Sequence, residues 1–441
     1  MRKSLFVCFL FIGLLLLSQV ALGKTVVRVA QHGGEPVLRL YEALVEAFYE
    51  VYGDEEIEIQ IEIVEYETYI SRIMLQAATG TLPDVVRIPG TLWFEFMGSD
   101  GFIELEPFLL ESPYYDPAEL PPDSFKKDRY QGKLYSISQP NWFQNALVCW
   151  LNLDMLDSMA FSVPDVNWTW DEMLNMSQKM TEIDAQGRVL RVGDLGSLRL
   201  DRQWYPLWQN ILYSFGGSII AEDFSESAIN SLEAKEAFGF IGQWHSTIPP
   251  NPGIWWPGGS VGMHFEWLNA DMQEDSLPFR MGVVAAPTGP AGHGYVDGSI
   301  EPSYPYGIPK TSANPEAAWK VLEFLLFAEE AVLAYKDSGQ LAPLPFRSYL
   351  EKVGDVYTDF QQTHVLPLAL QIPELRQPRF VDPLGPLATD VNRLVYTAWA
   401  ELLNGQVDKL DEIKRLLDLY LAEVSPTVEA IQARIADLKT Q

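Results

Sequence analysis

The first part of the chain carries hydrophobic residues at two spacings, which predict alternating strands and helices. Residues 57–63 alternate strictly between isoleucine and a polar residue, which is typical of a half-buried strand. Residues 36–50 carry an apolar stripe at helical spacing, formed by Val37, Leu40, Tyr41, Leu44, Val45 and Phe48. A strand at 26–30 precedes this helix, and a second helix ending at Gly80 leads into a strand at 85–88. The order β-α-β-α-β predicts a parallel sheet with right-handed crossovers.

A second set of elements begins after Pro140, where the first pattern breaks. Residues 146–152 and 281–286 are short apolar runs that predict strands. Between them, Thr169 and Glu172 form a capping box, which predicts that a helix begins there. Further helices are predicted from Asn314 to Leu326 and over 388–439. The pattern predicts an α/β protein, and 441 residues suggest two or three domain-sized units.

The N-terminus has the pattern of a secretory signal peptide. Arg2 and Lys3 precede an apolar run at 5–17, and small residues at 21–23 suit cleavage before Lys24. An uncleaved anchor is the alternative, but the run is short for a membrane span. Residues 1–23 are therefore predicted to be removed, which leaves an exported, soluble protein retained in a periplasm.

Charge is the strongly skewed property of the composition. The chain has 31 Lys and Arg residues against 60 Asp and Glu residues, which gives a net charge of −29. Such a surface repels phosphate backbones, so a nucleic-acid partner is not expected. The charge does not identify a ligand.

Motifs for catalysis or metal binding are weak. Residues 258–262 fit G-x-S-x-G, but the nucleophile elbow needs a strand before the serine and a helix after it. Residues 251–257 are rich in proline and glycine, and residues 263–267 favour a strand. The five histidines are scattered and match no metal-binding spacing. We expect no catalytic residue, no metal and no cofactor.

Tryptophan placement is more informative about a ligand. Seven tryptophans fall mostly in or beside predicted loops: Trp93, Trp142, Trp204, Trp208, Trp255, Trp256 and Trp267. Aromatic faces pack against the C–H face of a sugar ring, while nearby polar side chains hold its hydroxyls. For any one tryptophan a place in the core is an equally good explanation. As a group, they favour a carbohydrate platform.

The order of short segments along the chain resembles the family 1 extracellular solute-binding proteins of ABC importers, the relatives of maltodextrin-binding protein. Examples are Thr81-Leu82-Pro83-Asp84 after the second helix and the double glycine Gly216-Gly217 in mid-chain. The matching segments are 81–86, 130–137, 151–156, 167–174, 213–217, 262–267, 306–310 and 314–319.

The resemblance implies a two-lobed periplasmic-binding-protein fold, in which each lobe is a mainly parallel sheet flanked by helices. The implied N-terminal lobe comprises 24–138 and 302–345, and the implied C-terminal lobe comprises 139–301 and 346–441. The implied hinge crossings lie near 138–142, 287–301 and 345–352. The implied partners are a small carbohydrate in the interlobe cleft and the transmembrane permease subunits of an ABC importer. We expect a monomer without enzymatic activity.

Candidate ligand-binding residues come from two arguments. Ligands of α/β sheets lie beyond the carboxyl ends of strands, which selects His32, Glu35, Arg87, Trp93 and Trp142. By resemblance, Trp267 occupies the position of a sugar-stacking aromatic, and Trp204 and Tyr205 that of another sugar contact. The return segment before residue 306 adds Tyr304.

Other functions stay open at this level. A binding protein for glycerol phosphate, a peptide or a polyamine has the same pattern, and Glu35, Glu95 and Glu266 would suit a polyamine. An exported glycan hydrolase is the alternative from another class. The segment after residue 88 and the addition at 301–305 differ from the maltodextrin type, so maltodextrin itself is not implied.

Overall fold

The computed structural model describes most of the chain beyond residue 23. The described residues are 24–53, 56–121, 124–142, 146–222, 224–247, 253–268, 276–295, 304–336, 338, 342–375 and 387–440. The predicted signal peptide lies outside these ranges, as do residues 296–301 of the implied crossing near 287–301. Within them, no helix combines the length and the apolar character that a membrane span needs.

The first sheet follows the predicted β-α-β-α-β order. Its elements are β1 (Thr25–His32), α1 (Glu35–Tyr52), β2 (Ile57–Val64), α2 (Tyr66–Thr79) and β3 (Val85–Arg87). Strand β1 pairs in parallel with both β2 and β3. A late strand, β13 (Tyr306–Gly307), adds to β3 in the antiparallel direction, giving the order β13-β3-β1-β2. The parallel prediction is therefore confirmed for β1 to β3.

Helices and small hairpin strands complete this lobe. Their bounds are α3 (Gly90–Gly98), α4 (Glu106–Glu111), β4 (Arg129–Tyr130), β5 (Lys133–Leu134), α10 (Pro315–Phe327) and α11 (Glu329–Leu333). Helix α10 carries Val321, Leu322 and Phe324 into the core that β1 and α1 also face.

The second sheet is mixed, which corrects the expectation of a mainly parallel sheet. Its strands are β6 (Leu147–Asn152), β7 (Glu182–Ile183), β8 (Val189–Asp194), β9 (Val261–Trp267) and β10 (Met281–Ala285). The order is β10-β6-β9-β8-β7, and only the β8–β9 pairing is parallel. Helices separate β8 from β9, but no described helix separates β9 from β10, so the crossover rule applies to part of this lobe alone.

One helix of the second lobe, at Trp170–Met180, begins at the capping box that the sequence predicts. The bounds of this lobe's helices, with two small strands, are α5 (Leu153–Ser158), α6 (Trp170–Met180), α7 (Gly196–Asp201), α8 (Tyr205–Ser214), α9 (Leu232–Thr247), β11 (Thr288–Gly289) and β12 (Gly292–His293). Thr169 accepts a hydrogen bond from the Glu172 backbone and Glu172 accepts one from the Thr169 backbone, so the capping box is confirmed.

The C-terminal part is helical, which confirms the prediction of helices over 388–439. Its helices are α12 (Tyr349–Lys352), α13 (Leu366–Gln371), α14 (Ala388–Val395), α15 (Trp399–Leu403), α16 (Lys409–Glu423) and α17 (Ser425–Thr440). Single-turn segments lie at Trp256–Gly258, Gly354–Val356, Gln361–Val365, Ile372–Leu375 and Tyr396–Ala398.

Part of this C-terminal region packs on the first lobe, although the sequence assigned 346–441 to the second. Arg434 of α17 donates to the Lys127 carbonyl, and its guanidinium lies 5.5 Å from the Trp93 ring. The Ser348 backbone donates to the Glu119 carboxylate. No local pattern in the sequence indicated these contacts, because Arg434 and Lys127 lie 307 positions apart. The other lobe limits stay a prediction.

Candidate functional site

The tight turn after β1 lies at the carboxyl-terminal end of the parallel strands of the first sheet. Gly33 has a φ of 149°, and a Cβ at this position would lie 2.5 Å from the Val37 side chain. Only glycine tolerates that approach and that φ. The tight turn fixes His32 at the carboxyl end of β1 and lets α1 begin at Glu35.

A hydrogen-bonded row of polar side chains runs across this end of the sheet. Arg87, at the end of β3, donates from Nη1 to the Tyr306 phenol over 2.6 Å. The Tyr306 and Tyr41 hydroxyls share a hydrogen bond of 2.6 Å, and Gln31 donates to Tyr41 over 3.1 Å. The row holds Arg87, which is half-buried as a residue, against the first sheet.

Aromatic rings surround His32. The ring centroids of Tyr304, Tyr66 and Tyr69 lie 4.9, 5.1 and 5.7 Å from that of the imidazole. Burial, with the nearby Arg87 charge, lowers the pKa of His32 to about 4. His32 is therefore neutral at pH 7, and its buried Nε2 has no hydrogen-bond partner among the described residues.

The second lobe offers another polar cluster, on β9 and α7. Arg199 donates from Nη2 to the Glu266 carboxylate and lies 3.3 Å from His264 Nε2. His264 stacks on Trp256 with ring centroids 5.6 Å apart. Burial and the Arg199 charge lower the pKa of His264 to about 3, so that ring is also neutral.

Two tryptophans border this second cluster. Trp204 precedes α8, and Trp267 ends β9; both are half-buried, with their rings 6.0 Å apart and edge-to-face. The Arg199 guanidinium lies 4.6 Å from the Trp204 ring. An aromatic pair beside an ion pair has the composition of a sugar-binding surface.

The Tyr304 phenol is influenced electrostatically by phenols from both clusters. Burial raises the pKa of the Tyr304 phenol, and the phenols of Tyr66 and Tyr205 raise it further. Tyr66 belongs to the first lobe, whereas Tyr205 begins α8 in the second. The first wall is defined here as His32, Tyr66, Arg87, Tyr304 and Tyr306. The second wall is Arg199, Trp204, Tyr205, His264, Glu266 and Trp267.

The predicted site residues are only partly brought together. His32, Arg87 and Tyr304 meet on the first wall, and Trp204, Tyr205 and Trp267 lie on the second. Glu35 is exposed on α1 and pairs with Arg39, so it does not join the wall.

Two predicted tryptophans lie elsewhere. Trp93 is 0% exposed and donates to Ser136, so the prediction that it lines a ligand site is wrong. Trp142 donates to the Glu119 carbonyl, and Arg347 lies 5.3 Å from its ring, which places it beside the first implied crossing.

Sequence reasoning missed His264 and Arg199 as site residues and named Glu266 only as a carboxylate that would suit a polyamine. A signal for two of them was present, because His264 and Glu266 are the polar residues of the apolar strand 261–267 and share one strand face. Arg199 gave no such signal, since 67 positions separate it from Glu266.

The described residues do not assemble a known catalytic or metal site. Ser260 of the G-x-S-x-G match is followed directly by strand β9, where an elbow requires a helix. Within the described ranges, no group of three His, Cys, Asp or Glu side chains is placed to hold a metal ion.

Comparison with known proteins identifies the family. Residues 35–332, more than half of the chain, match the family model for bacterial extracellular solute-binding proteins. The chain belongs to this family. A putative binding protein of Brucella abortus is 22% identical over 296 residues, which is 61% of this chain and 64% of the relative. The match thus spans less than two thirds of that relative's length.

Solved structures of other solute-binding proteins share the fold. The ABC substrate-binding protein Lmo0181 of Listeria monocytogenes, in complex with cycloalternan, has a TM-score of 0.68 at 20% identity, over 90% of this chain and 99% of that one. The sugar-binding protein MalE of Xanthomonas citri has a TM-score of 0.69 at 17% identity, over 92% and 99%. MalE3 of T. maritima with bound maltose has a TM-score of 0.62 at 20% identity, over 89% and 100%. The chain therefore has the two-lobed periplasmic-binding-protein fold.

Proposed function

We propose that this solute-binding protein binds a carbohydrate between its two walls and delivers it to the membrane permease of an ABC importer. The observation that carries the proposal is the edge-to-face pair of Trp204 and Trp267, half-buried beside the Arg199–Glu266 ion pair. Half-buried indoles leave apolar faces for sugar C–H groups, and the charged pair offers hydrogen bonds to hydroxyls. The cycloalternan and maltose complexes of similar structures support the same class of ligand.

Delivery follows from closure of the lobes around the ligand. A solute that contacts both walls binds the closed form more tightly than the open one and shifts the population toward it. A permease that recognises the closed form would then dock only the loaded protein. In this proposal the chain is exported after loss of residues 1–23, acts as a monomer and returns its ligand chemically unchanged.

The residues once open to a polyamine give that ligand less support. Glu266 is paired with Arg199, and Glu35 with Arg39, so neither offers an uncompensated charge. The third carboxylate, Glu95, is exposed on α3 and belongs to neither wall.

A thermal-shift screen tests the proposed ligand class. Mono- and oligosaccharides, polyamines, dipeptides and glycerol phosphate are each added to the purified chain, because a ligand that binds only the folded state raises its Tm. We expect Tm to rise with saccharides, and titration calorimetry followed by chromatography to return the sugar intact. A rise with polyamines or peptides alone overturns the carbohydrate proposal, and recovery of cleaved sugar shows a hydrolase.

A further inference from the structure

Arg87 is the feature of the first wall that neutral sugar recognition does not explain. The residue as a whole is half-buried, and its guanidinium Nε is buried without a hydrogen-bond partner among the described residues. Within those residues it forms no ion pair, and its guanidinium donates only to the Tyr306 phenol. Arg199 on the opposite wall, in contrast, is neutralised by Glu266.

Among the described residues, no carboxylate pairs with Arg87. The phenols of Tyr41 and Tyr335 lie close enough to influence it electrostatically. Burial raises the pKa of both phenols above the ordinary value, so at neutral pH they are uncharged. A buried charge without a counter-charge is costly, and a protein offsets that cost with a partner. Within the part of the chain that the structure describes, the first wall therefore carries a positive charge without a counter-charge, and an anionic ligand would pair it.

His32 adds a second unsatisfied polar atom at the same place. The Tyr304 ring lies 4.9 Å from the His32 ring and 5.9 Å from the Arg87 guanidinium carbon, so it borders both groups. His32 is neutral at pH 7 because burial and Arg87 depress its pKa. In the tautomer with a proton on Nε2 it donates one hydrogen bond and adds no charge.

One cation and one neutral donor suit a carboxylate better than a phosphate. A carboxylate carries a single negative charge on two coplanar oxygens, which matches the planar fork of a guanidinium. A phosphate monoester carries a charge of about −1.5 to −2 at pH 7, and one guanidinium leaves part of that charge uncompensated. The acidic surface does not oppose this, because its field is screened within about 8 Å at physiological ionic strength.

We propose that the solute is an acidic saccharide, whose carboxylate is bound by Arg87 and His32 while a sugar ring packs on the tryptophans of the second wall. This inference rests on the proposed function and narrows it to sugars of the hexuronic acid class.

Matched ligands that differ only at the acid test the proposal. Isothermal titration compares digalacturonic acid with the neutral galactose disaccharide of the same linkage, glucuronic acid with glucose, and glucose 6-phosphate as the phosphate arm. We expect each uronate to bind about 30-fold or more tightly than its neutral counterpart, the range for a buried charge pair. The phosphate is expected to bind more weakly than the uronate.

Variants connect the preference to Arg87. Arg87→Gln is expected to bring the acid-to-neutral affinity ratio close to one. Arg280→Gln is the matched control, because Arg280 is exposed and pairs with Asp154 and Asp157 on the surface of the second lobe, and it should keep the wild-type ratio. If Arg87→Gln does not fold, Arg87→Lys keeps the charge but loses the fork, and should lower the ratio by an intermediate amount.

The outcomes separate this inference from the proposed function. Equal binding of neutral and acidic sugars, or a preference for the phosphate, overturns the carboxylate proposal and leaves carbohydrate binding intact. If no saccharide of either kind binds, the proposed function itself fails. An unchanged ratio in the folded Arg87 variants shows that the acid binds elsewhere and overturns the assignment to the first wall.

Discussion

Trp267 gives the most direct test of the second wall at the scale of single residues. Its ring is half-buried against Trp204, which leaves part of its face available to a ligand. Trp267→Ala removes apolar contact and a rigid platform, so we expect saccharide affinity to fall by about 1–3 kcal/mol, or roughly 5- to 150-fold. Isothermal titration measures the affinity, and thermal melting reports whether the fold is retained.

Trp93 is the matched control, because its side chain is fully buried, whereas that of Trp267 is only half-buried. Trp93→Ala removes a fully buried indole that donates to Ser136, and it should lower the free energy of unfolding by about 3–5 kcal/mol. Affinity in the folded fraction should stay at the wild-type value. A collapsed melt for Trp267→Ala with native affinity would show that Trp267 is also a core residue.

His264 predicts a pH dependence of stability. Folding lowers the pKa of His264 from its ordinary value of 6.5 to about 3. Between these two pH values the unfolded chain therefore binds a proton that the folded chain does not bind. Its contribution is fully present above pH 6.5 and is lost as the pH falls from 6.5 toward 3. Asp128 acts in the opposite direction, because burial raises its pKa to about 6 and stability rises as the pH falls from 6 to 3.8.

The two contributions are separated by a variant. Thermal melting of wild type and His264→Gln from pH 7.5 to pH 4 should show a smaller loss of Tm in the variant, whatever its Tm at pH 7.5. Parallel curves for the two proteins would contradict a proton-linked role for His264.

At this scale the sequence predicted some site residues and missed others for physical reasons. His32 and Arg87 could be predicted because hydrophobic periodicity locates the ends of the strands that carry them. The burial of Trp93 was not predicted because helix α3 has no side-chain cap that would mark its start in the sequence. The helix places the Trp93 side chain in the core. The Arg199–Glu266 pair depends on how α7 packs beside β9, which residue spacing does not reveal.

At the scale of elements, the capping box of α6 predicts a measurable loss of stability. Thr169 accepts from the Glu172 backbone, and Thr169→Ala leaves that donor of the helix N-terminus without its partner. We expect the free energy of unfolding to fall by about 1 kcal/mol in chemical denaturation. Ser71→Ala is the control, because the Ser71 hydroxyl only bonds back to the Glu67 carbonyl inside α2, and it should change stability little. Equal effects of the two substitutions would contradict a specific role for the cap.

The pairing of strands was harder to predict than the strands themselves. Alternation identified β2 and apolar runs identified β6 and β10, since each pattern is local. Pairing direction depends on the route between strands. Helices α7, α8 and α9 lie between β8 and β9, which form a parallel pair, while β6 lies antiparallel to both β9 and β10. The family resemblance implied two lobes with mainly parallel sheets, and the second sheet departs from that direction.

At the scale of the whole molecule, long-range packing determines which lobe a segment joins. Helix α17 follows the helices of the second lobe in sequence, yet Arg434 donates to a backbone carbonyl 307 positions earlier. No periodicity reports such a contact. Helices α12 to α17 are therefore divided between the lobes by contacts rather than by a single boundary.

The proposed site between two lobes predicts that ligand binding closes the molecule. Because the first and second walls belong to different lobes, a solute held by both walls gains its full set of contacts only when the lobes approach. Shifting an equilibrium from 1:99 to 99:1 requires about 5.5 kcal/mol of differential binding, which a ligand touching one wall cannot supply. We expect small-angle scattering to show a smaller radius of gyration when the chain is saturated with its saccharide. The Trp204→Ala, Trp267→Ala double variant, saturated with the same ligand, should close less because its second wall is weakened. An unchanged profile for the wild type with a verified bound ligand would contradict closure, because binding would then require contacts to one lobe alone.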